Sequence, residues 1–362
     1  MRTLLPPVLF HAGMERPEAD EGETIDALRD VFLDMARTVA AAEGHAYRAV
    51  HAKGQALLKG RLQISDGLPE ELAQGLFATP GAYECLVRFS SPPAEQLPDT
   101  VSTPRAIAVK VLGVTGERVA ESEEQHSQDF LMVNGPTFTS PGPQGFLRST
   151  KLLAATTERM PRTKAVISAA LRGGERMLEA AGGSSGKIKG MGGEPQVHPM
   201  GETYFSQVPF RFGPYIAKFC LRPVSATLQA LSNAPIENSE DSQRDAIQEA
   251  LASGRADLVW ELCAQLCRDE EAMPIKDASV EWPQELSPFI AVATLRVPPQ
   301  VSWDDAESPG IEDRLAFSPW HALQAHRPLG ALNRARRVVM AASRAYRSQH
   351  NGCPLHEPLP GE

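Results

Sequence analysis

Apolar residues recur at helical spacing between positions 24 and 43, where Ile25, Leu28, Val31, Phe32 and Met35 form one stripe. Thr24 stands at the cap position and Gly44 at the stop, so the pattern predicts one amphipathic helix. From Arg48 to Ser65 the period shortens toward two, with Gly54 and Gly60 interrupting, and the segment reads as strand. A turn-rich interval at 66–69 leads into ELAQGLFA, read as a short helix, and then YECLVRFSS, AIAVKVLGV and DFLMV each read as strands. Strands so closely spaced favour an antiparallel sheet or barrel over a parallel one.

The pattern changes at 144–180, which is helical and basic through Lys151, Arg159, Arg162, Lys164, Arg172 and Arg176. AGGSSGKIKGMGGE follows, with the composition of a flexible segment. It predicts a surface insertion over about 140–197, with a lid as the functional alternative. Strand patterns return in TYFSQVPFRF and YIAKFCLRPV, a helical pair is predicted over 225–267, and ATLRVPP is a further strand. From Arg314 to Tyr346 the chain reads as helical and arginine-rich. These limits predict an arm at 1–20, one domain over 21–350 and a loose tail at 351–362.

A formal net charge of −9 argues against a nucleic-acid surface. No run approaches the roughly 18 apolar residues that span a bilayer, and Met1–Phe10 reads as an exposed arm, so the cytoplasm is the expected compartment. Five cysteines are too few for a disulfide framework in 362 residues. Cys263 and Cys267 lie four apart on a predicted helix but lack a second pair for a zinc site.

Candidate chemistry begins at Arg48-Ala49-Val50-His51-Ala52-Lys53-Gly54. A histidine among small apolar residues is more often a core residue than a catalyst, and its neighbours decide the matter. Val87-Arg88-Phe89-Ser90-Ser91 offers an arginine and a hydroxyl on one strand, and Asp129 to Phe138 ends a strand with Asn134 and an aromatic. In this order the pieces resemble the haem catalase family, with its R-x-V-H-A-K-G and V-R-F-S segments, its D-x-x-x-P-R-G-x-A-V-K segment and its Asn-rich turn ending in P-x-F. Asp99 to Lys110 is similar to the third piece, with Ala106 for the glycine, and Asp277-Ala278-Ser279-Val280-Glu281-Trp282-Pro283 is similar to a later D-x-T-K-V-W-P. The resemblance spans roughly 24–347.

It implies an α+β fold, a catalase-like antiparallel β-barrel core wrapped by helices, in a core-only version. It also implies a b-type haem as cofactor. His51 then shuttles a proton between peroxide oxygens, Ser90 orients its imidazole, and Asn134 presents an amide to the peroxide. Phe138 packs on the haem face, and Arg48 and Arg88 pair with propionates. Val50 precedes the histidine as in catalases, whereas the related allene oxide synthases carry threonine there. The family's proximal helix reads R-x-F-S-Y-x-D-T-H-R-x-R-L-G, and its tyrosine binds iron. Matched from Arg314 through Arg327 to Gly330, this chain has no tyrosine. Counting from Arg314, Ser318 falls at its place, with Pro319 set to open a helix. His321 is then the nearest competent ligand, with His326, an open iron or loss of haem as alternatives; Arg314 and Arg327 keep the motif's arginines.

The expected function is a haem-dependent oxidoreductase acting on hydrogen peroxide or organic hydroperoxides, a peroxidase or weak catalase, with a reductant the sequence does not name. The alternatives are a fatty-acid hydroperoxide isomerase or lyase of the allene-oxide-synthase type, and a non-enzymatic haem binder. The expected partners exclude nucleic acid and a membrane span and leave a homo-oligomer open.

Overall fold

The structure, a computed structural model, describes residues 4–101, 103–120, 122, 125–157, 195–254 and 256–361. Nine strands form one antiparallel sheet: β1 (Lys53–Ile64), β2 (Ala82–Ser91), β3 (Ala106–Leu112), β4 (Ser127–Val133), β5 (Tyr204–Phe205), β6 (Phe210–Phe212), β7 (Tyr215–Pro223), β8 (Leu258–Leu266) and β9 (Ile290–Val297). Their order is β5-β4-β3-β2-β1-β9-β8-β7-β6, and β5 pairs with β7 as well as β4. Eight strands therefore close into a barrel and β6 extends from β7 as a hairpin. The seam is the two-residue β5, held through Val133↔Phe205 on one side and Tyr204↔Leu221 and Phe205↔Cys220 on the other.

The two-residue period sorts the strands. Ala56, Leu58 and Leu62 of β1, Val87 and Phe89 of β2, Val109 of β3, Phe130 of β4 and Leu262 of β8 belong to the one large apolar core. Their neighbours Arg88, Ser90, Lys110 and Asp129 take the opposite face, yet all are buried because helices and loops cover it. The described helices are α1 (Glu21–Glu43), α2 (Pro143–Thr157), the short α3 (Ala226–Ala230), α4 (Ser242–Ser253), α5 (Ser308–Arg314) and α6 (Ala331–Asn351). None is long and apolar enough to cross a membrane.

The stripe of α1 packs as expected: Ile25, Leu28, Phe32 and Met35 meet Ala335 and Val339 of α6 and Ala49 of the segment before β1. Phe146 of α2 ties this cluster to the barrel, with its ring 5.8 Å from Phe32 and 5.0 Å from Phe138. The start of α6 is clamped by carboxylates, which suit a helix N-terminus. The Gly330 amide donates to Glu15 (2.6 Å), and Arg334 bridges Glu15 and Glu21. Asp99 fastens β1 to α4 by accepting from Lys53, Gln55 and the Gln243 amide.

Four local expectations change. ELAQGLFA forms only a 3-10 turn at Gly75–Phe77. The helical pair over 225–267 is α3 and α4 followed by strand β8, which places Cys263 on a strand. Residues 315–330 contain only a 3-10 turn, Gln324–His326, because Pro319, Pro328 and Gly330 (φ 85°) break the run, and α6 begins after them. The tail folds back on the protein: the His356 amide donates to the Arg314 carbonyl (2.9 Å), the Glu357 carboxylate lies 3.6 Å from Lys110 Nζ, and the Gly361 amide donates to Glu84 (2.7 Å). Most of the predicted insertion, including its Gly/Ser-rich stretch, lies outside the described residues.

Candidate active site around His51

His51 sits just before β1 at φ 58°, a left-handed conformation that strains a non-glycine residue by about 1–3 kcal/mol. The surroundings hold it there from both sides. Its amide donates to the Pro92 carbonyl (2.8 Å), and its carbonyl accepts from Arg88 Nη2 (2.9 Å). Ser90 Oγ lies 3.3 Å from His51 Nδ1. Arg88 and Ser90 are two apart on β2, so the strand period puts both on the His51 side. Burial first, and then the positive charges of Arg88, Arg336 and Arg48, push the imidazole pKa down to about 3.

Arg48 and Arg88 do gather, but around a carboxylate that the sequence reading missed. Glu312 of α5 accepts from Arg48 Nη1 with one oxygen and from Arg88 Nε with the other. Arg347 of α6 donates to the Glu312 and Leu315 carbonyls (both 2.9 Å), where Arg48 Nη2 also donates (3.0 and 3.1 Å). Burial alone would raise the Glu312 carboxyl; Arg88 and Arg48 outweigh it and hold the pKa down at about 2. Arg48 and Arg88 thus share one carboxylate, while Arg347 meets the backbone carbonyls beside it and has Asp313 as a further acidic neighbour.

A second unassigned residue is Arg336 of α6. Its positive charge acts on His51, its Nη1 is buried without a hydrogen-bond partner among the described residues, and burial lowers its pKa to about 10. An unpaired buried guanidinium is costly. Arg48, His51 and Arg336 are each half-buried and keep some accessible surface. Ser343, two turns along α6 from Arg336, accepts from the Ala49 amide (3.1 Å) and fixes that helix beside the His51 segment.

The remaining expected site residues lie in other settings. Asn134 spends its amide locally: Oδ1 accepts from the Arg105 amide (2.9 Å) and Nδ2 donates to Glu202 (3.0 Å), which also pairs with Arg105. Phe138 is half-buried between the barrel core and Phe146, and Val50 packs with the α1–α6 cluster. Arg314 and Arg327 accept through their carbonyls, from His356 and Arg211 respectively, and Arg347 is the arginine that joins Glu312.

His321 is buried in a polar network on the outer face of β3 and β4. Its Nδ1 lies 3.0 Å from Asp129 Oδ2 and 3.1 Å from Lys110 Nζ, and Arg344 Nη1 lies 2.9 Å from its Nε2. A guanidinium only donates, so Nε2 accepts and the ring proton sits on Nδ1, facing Asp129. Burial and Lys110 lower the pKa of His321 and keep it neutral. The lone pair expected to bind iron is therefore occupied by Arg344. His326 is a core residue: its Nε2 accepts from the Leu76 amide (2.9 Å), and Phe77, Phe212 and Phe219 surround it.

No protein-family model matches the sequence, and no curated protein matches it. Solved structures do match in shape. A fungal catalase aligns with 96% of this chain and 67% of its own at 20% identity and a TM-score of 0.58. A bacterial catalase aligns with 98% of this chain and 66% of its own at 18% identity and 0.59, and catalase A from Saccharomyces cerevisiae with 96% and 67% at 18% identity and 0.55. The fold is catalase-like, and the chain spans about two thirds of the length of these structures.

Proposed function

We propose that this catalase-like chain holds a b-type haem between His51 and α6 and uses it on peroxides. The observation that carries the reading is the buried Arg336 nitrogen without a partner among the described residues, on a side chain whose charge acts on the neutral His51. These residues fit a flat group with an anionic edge. Arg48 and Arg88 would hold its propionates, because one Glu312 carboxylate shared by two guanidiniums leaves net positive charge to neutralise. When bound, the group supplies a ferric iron at which a peroxide O–O bond can be cleaved.

The chain's own part is proton transfer. His51 Nδ1 is turned to Ser90, and Nε2 takes no partner among the described residues, so it is available to substrate. A neutral imidazole accepts a proton from one peroxide oxygen and returns it to the other. The Arg88 hold on the His51 carbonyl and the strained backbone keep the ring in place for both transfers. Val50 at the position before the histidine, as in catalases, favours peroxide reduction over isomerisation.

The reading is tested by mixing the purified protein with hemin and recording the absorption spectrum. A Soret band at one haem per chain is expected; its absence sinks the proposal. Hydrogen peroxide and a fatty-acid hydroperoxide assayed in parallel then separate reduction from isomerisation by their products. The pH dependence is a further check. A free imidazole titrates near 6.5, but His51 is held down at about 3, so its basic form persists well into acid. The second-order rate with peroxide should stay flat from pH 8 to about pH 4 and fall below that. A rate that halves near pH 6.5 would show that another group takes the proton.

A further inference from the structure

We infer that Met340 is the axial ligand on the pocket wall facing His51, so that the iron is held by a neutral thioether rather than by histidine or an anionic oxygen. The inference rests on the haem reading above and deepens it. Four residues of α6 fix which face of that helix meets the pocket. Arg336 acts on His51, Ser343 accepts from the Ala49 amide, Arg347 donates to the Glu312 carbonyl, and Arg344 donates to His321. At 3.6 residues per turn these four fall within an arc of roughly 100°. Met340 lies inside that arc, one turn after Arg336 and one turn before Arg344. The flank beyond the arc carries Ala335 and Val339, packed on α1.

On this arc the thioether is the one donor suited to iron. Guanidiniums have no lone pair to give, and the Ser343 hydroxyl is taken by Ala49. The His321 lone pair is taken by Arg344. Tyr346 packs with the α1 cluster instead, its ring 5.6 Å from that of His350. Met340 is half-buried, and its unbranched, polarizable side chain is one that can reach a flat group. A neutral thioether removes the negative charge an oxygen ligand would place on the iron, and thioether ligation raises the reduction potential. The unpaired charge of Arg336 acts in the same direction. The midpoint potential of the bound iron is therefore expected to lie above that of an oxygen-ligated iron.

The test uses the full chain reconstituted with hemin, its Met340→Leu and Met340→Tyr variants, and spectra in both oxidation states with a midpoint titration. Leucine keeps the volume and removes the sulfur. The expected result is a displaced ferrous and ferric spectrum in Met340→Leu, with added imidazole binding at least about tenfold more tightly than to the parent, a difference of about 1.4 kcal/mol. Met340→Tyr should lower the midpoint. Hemin bound to Met340→Leu with the parental spectrum and parental imidazole affinity overturns the ligand assignment and leaves the haem reading standing. Hemin bound by none of the three proteins overturns both.

Discussion

Replacing His51 with alanine is expected to slow the reaction with peroxide by about a hundred-fold or more, the usual scale for a positioned acid and base. Hemin binding should survive, because on the proposed reading the arginines paired with Glu312 and α6 would hold the group from other directions. The size of the effect follows from how few proton carriers the pocket offers. Asn134 has both ends of its amide engaged by Arg105 and Glu202. Ser90 faces the far nitrogen of the ring, and the arginines give up no protons near neutrality. Stopped-flow mixing of the ferric protein with peroxide measures the step directly. A variant that reacts at the parental rate would reduce His51 to a buried structural residue.

Glu312→Ala is expected to destabilise the protein by about 3–5 kcal/mol, because it leaves Arg48 and Arg88 buried without their shared carboxylate. The sign of the accompanying pH effect follows from the carboxyl being held at about 2 when folded, below its range near 4.3 when unfolded. Its contribution is complete above about pH 4.3 and is lost as the pH falls toward 2. Urea unfolding at pH 7 and pH 3 should therefore show a smaller gap between parent and variant at the lower pH. Hemin supplies carboxylates of its own, so excess hemin should restore part of the lost stability. A variant as stable as the parent at pH 7 would show that the arginines find other partners.

The parts of the site visible in the sequence are those written in short contiguous runs. His51, Arg88 and Ser90 follow from two strand segments, since a period of two brings Arg88 and Ser90 to one side. Glu312 and Arg347 do not, because they meet Arg88 and Arg48 only through folding; Glu312 stands 224 positions from Arg88. The proposed axial ligand differs from the residue read in the sequence by a matter of frame. Set on Arg336 instead of Arg314, the pattern R-x-F-S-Y-x-D-T-H-R-x-R places Met340 at the tyrosine, Ser343 at the threonine and Arg347 at the last arginine. The recognisable His326-Arg327 and Leu329-Gly330 pairs drew the match to the earlier frame, where Pro319 and Pro328 prevent a helix. Residues 258–266 read as helix for a different reason. Leu, Glu, Ala and Gln favour it locally, while the alternation of Leu258, Trp260, Leu262, Ala264 and Leu266 into the barrel, between β7 and β9, overrides that preference.

Ala49 and Ser343, which meet at the pocket wall, stand 294 positions apart in the chain. At roughly 5–20 residues per second, a ribosome takes about a quarter of a minute to one minute to travel between them. Between the synthesis of Arg88 and that of Glu312 the nascent chain carries His51, Arg48 and Arg88 but neither Glu312 nor α6. On the proposed reading, haem insertion would follow synthesis of α6. A chain that stalls before α6 would hold the proposed proton-transfer residues without the helix proposed to hold the haem.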